Sequence, residues 1–557
     1  MSDVDPRLSL LLADADDRSP VLGEGLPGDA AHRAPKPKKA GSRHDTFLRR
    51  RKDADPNDLS LQRWALVAPE GPEGERMLEA IEPLRRLREE EQGAPATVHR
   101  VRSDMDARQC VQWKEDVYWS EEVPEEERPH YLLLLGDLRH VPLDLQQALS
   151  STALVGRLQF GDGRGEIDAD RYNSYANKVV RHARGPAPWD APDLLFHVAA
   201  DGTRATAEAE ARLVAPSLES AQESLSRGKL PAGSVRRIEA ESASALLSGG
   251  ALDRPAVLLS ASHGVGAPRG GWRSEERRRR EQGALVIGED DVLDAERLAG
   301  QTFLPGGVWF CLACFGAGTP DKSAYHAWLT LLAEEQAYRG KVASVLASLP
   351  SPGQPPFVAA LPQAALASPG GPLAVIGHVD LAWTYAFSSA LDSSESKKSR
   401  ILSALEILVR GARAGVALDR LVDVYREVND ALMVTYEAEE NARREGRADP
   451  TDRKERGHLW MTRNDLRGYV LLGDPAARLP LARHAPRDHR QPAPTSAQST
   501  PAPAAAPSTS DKVAAVHALL RGAEAPLAIA ARAGVSLDEL WSWFDVYRTA
   551  GREALGG

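Results

Sequence analysis

From Trp64 onward the chain alternates between two textures. Short uninterrupted apolar runs, WALVA (64–68), YLLLL (131–135), LLFHVA (194–199), AVLLS (256–260), VWFCLA (308–313), VASVLA (342–347) and LAVIG (373–377), have the length of strands buried on both faces. Between them lie segments such as GERMLEAIEPLRRLREEE and AYHAWLTLLAEEQAYRG, whose apolar residues recur every three or four positions, as along one face of a helix. Buried strands alternating with amphipathic helices predict an α/β domain with a mostly parallel sheet covered on both faces. It spans residues 61–483 and includes a helical stretch near 395–447.

The pattern fails at both ends. Residues 1–60 mix Asp, Pro and Gly with a basic cluster (Lys36, Lys38, Lys39, Arg49, Arg50, Arg51, Lys52). They are expected to be mostly disordered, because such a stretch buries too little apolar surface to offset its ordering entropy. Residues 484–511 read as a Pro/Ala/Ser linker. Residues 512–557 then predict a small all-helical domain, in which Pro526 opens the second helix and Gly534 ends it, while Ser536 with Glu539 makes a capping box for the third. The stretch AIAARAGVSLDELWSWFDVYRTAG resembles a helix-turn-helix, with Gly534 in the turn and a recognition helix from Leu537. That helix carries two Asp and one Glu and no Lys or Arg before Arg548. Phosphate contact needs positive charge, so a protein-docking role is favoured over DNA binding. Trp541 and Trp543 lie two apart and cannot share one helix face.

Composition narrows the setting. A chain of 557 residues exceeds one compact core. No apolar run approaches the ~18 residues of a membrane span, and LSLLL (8–12) is too short for a signal-peptide core. Three cysteines argue against a disulfide framework and for a reducing compartment, so a cytoplasmic protein is expected. A net charge of −10 gives no reason for whole-surface binding to nucleic acid or membrane. No cofactor or metal is expected.

Two strand ends carry reactive side chains. AVLLSASHGVG places His263 and Gly264 just past one apolar run, and VWFCLACFGAG places Cys314 just past another, roughly 50 residues on. Ligands of open parallel sheets bind beyond the carboxyl ends of strands. A thiol, an imidazole and a glycine N–H at adjacent strand ends are the parts needed for attack on a carbonyl. Taken singly, a buried histidine or a core cysteine is the commoner reading of each residue. Cys311 with Cys314 also satisfies a CxxC spacing, but Cys311 falls inside the strand. His378 ends another apolar run and is the rival base, with core packing its plainer reading. The basic run RSEERRRREQ (273–282) reads as a solvated loop, open to self-processing.

These residues resemble the caspase-like cysteine peptidases, and within them the gingipain-type family. His263-Gly264 and Ala313-Cys314 match that family's two motifs. YLLLLGDLRHVP (131–142), VGRLQ (155–159) with Tyr172 and Tyr175, and GYVLLGDPAARL (468–479) match its flanking segments in order. The resemblance implies a caspase-like three-layer sandwich and a His263–Cys314 dyad, with the N–H groups of Gly264 and Cys314 stabilising the oxyanion. Substrate would be read after a basic residue by Asp201 and Glu208. It also implies an intracellular endopeptidase acting on a protein partner, such as a pore-forming effector, in bacterial antiviral defence or regulated cell death. The alternative is a catalytically weak scaffold whose carboxyl-terminal module binds DNA or protein. A CxxC oxidoreductase is a third reading.

Overall fold

The computed structural model describes residues 7–35, 55–161, 166–288, 291–387 and 396–484. In the carboxyl-terminal part it describes 508–521, 526–533, 535–536, 539–540, 542–544 and 546–547. The chain divides into two units, Met1–Pro486 and Arg487–Gly557.

In the first unit, ten strands among the described residues form one sheet. They are β1 (Trp64–Pro69), β2 (Thr97–Val101), β3 (Tyr131–Leu135), β4 (Leu154–Leu158), β5 (Asp193–Val198), β6 (Val235–Arg237), β7 (Ala256–Ala261), β8 (Val308–Leu312), β9 (Ala374–His378) and β10 (Tyr469–Gly473). Their spatial order is β2-β1-β3-β4-β10-β9-β8-β7-β5-β6. Every neighbouring pair is parallel except β9 and β10. The sheet is therefore two parallel blocks of opposite direction, joined at one antiparallel seam.

Alternate residues of the strands enter different layers, as the two-residue pleat requires. Leu66, Leu133, Leu258 and Trp309 pack with Met77, Leu84, Tyr172 and Leu361 on one face. On the other face, Leu259, Phe310 and Ile376 pack with Trp328, Leu405 and Leu421, while Ala65 and Leu132 pack with Cys110 and Leu149. The result is the expected three-layer α/β sandwich.

The flanking motifs are structural. Arg157 of β4 is fully buried; its guanidinium donates to the carbonyls of Gly136, Asp137 and Val141 and to Gln146 Oε1, at 2.7–3.0 Å. It thereby organises the Gly-Asp turn after β3, where Gly136 holds a left-handed φ of 104°. Asp474, after β10, accepts from Trp64 Nε1 at 3.0 Å and pairs with buried Arg88 at 2.6 Å.

Three expectations are corrected. VASVLA is not a strand but part of the helix Gln336–Ser348, with Val342 and Val345 facing the core at a three-residue spacing. RSEERRRREQ is not a solvated loop: Ser274 caps the helix Glu275–Glu281, and Arg278 is buried over the Phe357 ring. The largest correction concerns residues 7–35, which are ordered and bury their leucines. Leu8, Leu10, Leu11 and Leu12 are each inaccessible to solvent. Leu12–Ala13 pairs as a parallel strand with His263–Val265. The basic cluster at 36–52 lies outside the described residues.

In the second unit, helices cover Thr509–Arg521 and Pro526–Ala533, so Pro526 opens its helix as expected. Ser536 Oγ accepts from Glu539 N at 3.2 Å. Ala515, Ile529, Ala530 and Leu540 form a small buried cluster with Trp543 against it. Gly534, Leu537 and Trp541, on which the helix-turn-helix reading rests, lie outside the described residues.

Burying four leucines is worth on the order of 6–12 kcal/mol before entropic costs. The ion pairs of this segment, Asp17–Arg269, Asp16–Arg277 and Arg33–Glu335, are exposed and worth under about 1 kcal/mol each. Apolar burial therefore holds residues 7–35 in place. Leu8→Ala and Leu10→Ala should each lower unfolding free energy by about 2–5 kcal/mol in urea titrations, whereas a disordered tail would show no change.

Candidate active site

The parallel register of β7 and β8 pairs Ala261 with Leu312, and Ser262 N donates to Leu312 O at 3.1 Å. Both strands end there, so His263 and Cys314, each two residues further on, leave the sheet side by side. A β-carbon on Gly264 would lie 1.9 Å from the Cys314 carbonyl oxygen, so only glycine permits this approach. Phe315 takes a left-handed φ of 57°, and Gly316 N closes on Ala313 O at 3.3 Å, turning the chain sharply behind the thiol.

His263 is oriented through one ring nitrogen. Nε2 lies 2.8 Å from Thr203 Oγ1 and 3.7 Å from Asp201 Oδ2. Thr203 caps the helix Arg204–Ala209 that follows β5. Asp201 Oδ1 accepts from Thr203 N at 3.0 Å and from Thr206 Oγ1 at 2.6 Å, fixing the loop. Nδ1 is buried with no hydrogen-bond partner.

A strand of the protein's own chain fills the space beside this pair. The Leu11 carbonyl accepts from Gly264 N at 3.0 Å and from Cys314 N at 3.1 Å. Leu11 N donates to Ala382 O at 3.2 Å, Thr384 N to Ser9 O at 3.1 Å, and Gly266 N to Ala13 O at 2.6 Å. Residues 8–13 are thus hydrogen-bonded on both edges, parallel to His263–Val265 and antiparallel to the segment around Trp383.

That second wall is pinned from behind. Asp380 accepts from Leu381 N, Ser323 Oγ and Ala324 N at 2.7–2.8 Å, and Asp465 accepts from Trp383 N at 3.0 Å. The alternate amides face forward: Ala382 N reaches Cys314 Sγ at 3.2 Å and Thr384 N reaches Ser9. Burial pushes both carboxyls up, Asp380 to about 6 and Asp465 to about 7.

Burial also neutralises the reactive pair. It drives the Cys314 thiol well above its usual range, opposed by the Ala382 N–H and reinforced by Asp380 and Asp465. It lowers His263, with Asp201 and the Leu12 carbonyl acting in the opposite direction. The covered site therefore holds a thiol and a neutral imidazole. Cys311, pushed up to about 12, belongs to the opposite face of the sheet from Cys314, which separates the CxxC sulfurs. His378 is enclosed by the carbonyls of Asp380 and Asp465, each at 2.9 Å, and lowered to about 4.

Asp201 thus sits against His263. Glu208 bonds to Arg204 Nε at 2.9 Å and accepts from Thr384 Oγ1 at 2.8 Å. Thr203, the 380–384 wall and the Leu8–Ala13 strand complete the surroundings of the pair and carry no motif of their own. The run LSLLLA had the length of a buried strand, which was the available signal.

No family model matches the sequence, and no curated protein matches it. Among solved structures it is similar to the Arg-specific cysteine proteinase gingipain R, at 11% identity and a TM-score of 0.43 over 76% of this chain and 80% of that one. It is similar also to the complex of Porphyromonas gingivalis RgpB pro- and mature domains, at 12% identity and a TM-score of 0.40 over 75% and 79%.

Alkylation by iodoacetamide needs a thiolate in contact with solvent. Labelling of Cys314, followed by peptide mass spectrometry, should stay slow up to about pH 9 in the intact protein. Loosening the covering strand with Leu11→Asp should raise its rate at pH 7.5 by about tenfold or more and leave Cys311 unlabelled.

Proposed function

We propose that the chain is a cysteine endopeptidase of caspase-like arrangement, with Cys314 as nucleophile and His263 as proton carrier. One observation supports this above the others: a peptide carbonyl, that of Leu11, is held by two converging backbone N–H groups beside the thiol and imidazole. Two such donors, fixed before reaction, stabilise the negative charge that develops on a carbonyl oxygen under attack. The Cys314 sulfur attacks the carbonyl carbon while His263 Nδ1 takes its proton and passes it to the departing amine. The N–H groups of Gly264 and Cys314 hold the oxyanion. Water then releases the acyl group from sulfur. Asp201 and Thr203 act at Nε2, fixing the ring and favouring its charged form as the proton arrives.

The scaffold reading draws on one feature, the complete covering of the site. A covered site still has no need of a glycine packed on the Cys314 backbone, and one is present. The three cysteines are free thiols, which suits a cytoplasmic setting and a protein substrate such as an effector released by cleavage. Within this reading the helical unit docks a protein partner.

Cys314→Ala and His263→Ala should each reduce peptide cleavage by about 10⁴-fold or more at unchanged thermal stability, while Cys311→Ala retains activity. Asp201→Asn should lower kcat more than it changes KM and move the imidazole limb of the pH profile to lower pH, because the carboxylate raises the pKa of His263. Equal activity of Cys314→Ala and the parent would end the peptidase assignment. A chain ending at Ser510 should keep full activity on small peptides.

A further inference from the structure

The strand lying in the site also carries information about what the site accepts. Residues 8–13 are bonded on both edges by backbone groups of the site, the way an extended peptide adds to exposed strands. In that pose Leu11 supplies the carbonyl between the two N–H donors, and the next bond, Leu11–Leu12, leads toward the imidazole, whose charge the Leu12 carbonyl favours. Leu11 thus stands where the residue before the cut would stand.

The sheet face that carries the reactive pair is apolar next to it. Strand periodicity puts Ala261 and Leu312, two residues before His263 and Cys314, on the same face of the sheet as the reactive pair. Both are buried, and both belong with Leu11, Leu381, Ala382 and Trp383 to one continuous apolar cluster. The carboxylates that would read a basic side chain face other groups: Asp201 bonds Thr203 and Thr206 through Oδ1 and turns Oδ2 to His263 at 3.7 Å, and Glu208 bonds Arg204 and Thr384. Asp380 and Asp465 are turned to the back of the wall, where they accept from its amides.

We propose that the site cleaves extended chains after leucine, and that the protein's own Leu8–Ala13 strand occupies the site in the pose of such a substrate. This rests on the peptidase reading above. For a substrate so bound, the Cys314 sulfur bonds to the leucine carbonyl carbon and the C–N bond to the following residue breaks. The thiol proton travels through His263 Nδ1 to the departing nitrogen. Water then adds its hydroxyl to the acyl carbon and returns a proton to sulfur, leaving a free carboxylic acid on leucine. A guanidinium in the same apolar position would be desolvated without a free counter-charge.

Two fluorogenic peptides carrying the chain's own residues 8–11, one ending in Leu and the other in Arg at the last position, test this on the full chain. The leucine peptide should be cut about 100-fold faster or more, with no turnover by Cys314→Ala. In a second measurement, Leu11→Arg should loosen the covering strand and raise turnover of the leucine peptide by about tenfold or more. Faster cutting of the arginine peptide, or a site closed further by Leu11→Arg, overturns the leucine assignment and leaves the peptidase reading standing. Turnover of neither peptide by either protein removes both.

Discussion

The site depends on the register between β7 and β8. Pairing Ala261 with Leu312 makes two parallel strands end level, so that one further turn of each chain delivers an imidazole and a thiol to the same place. A one-residue slip would send one of the two side chains to the opposite face of the sheet. The register is held because both strands are buried on both faces, with Leu258 and Trp309 committed to one apolar layer and Leu259 and Phe310 to the other. Gly264 enforces the final approach, since any side chain there meets the Cys314 carbonyl. Core packing thus sets the geometry of the chemistry.

Around this pair the polar groups are sorted by direction. Buried Asp380 and Asp465 absorb the backward-facing amides of the 380–384 wall, which frees its forward-facing groups for a peptide. Holding buried carboxylates is costly, and their raised pKa values are the sign of that cost. What is gained is a rigid edge whose forward-facing N–H and C=O groups pair with the Leu8–Ala13 strand and the Cys314 sulfur. On the other side, Thr203 serves at once as a helix cap and as the hydroxyl that fixes His263.

Much of the fold could be read from the chain itself. Apolar runs such as YLLLL, AVLLS and VWFCL became central strands because a doubly covered sheet needs continuous hydrophobicity. His263 and Cys314 were legible because each followed such a run. VASVLA misled because a short apolar run fits either period, and its helix is visible only from Gln336 onward. Spacing marks Asp201 as an acid near the site, but its place 3.7 Å from His263 is set by the loop after β5, which no spacing specifies. Residues 7–35 escape a composition reading because the average over 60 residues dilutes one compact run, LSLLLA, among Asp and Gly. The wall at 380–384 carries little composition signal, since its function lies in backbone amides.

The Leu8–Ala13 strand is tied to the site by the same polypeptide that forms it. On the peptidase reading, an arriving peptide does not meet an empty groove but competes with an occupant whose effective concentration is set by its covalent connection to the site. Access to the thiol is in this sense a contest between local and bulk concentration, and whatever shifts the strand shifts the apparent affinity for every substrate by the same factor.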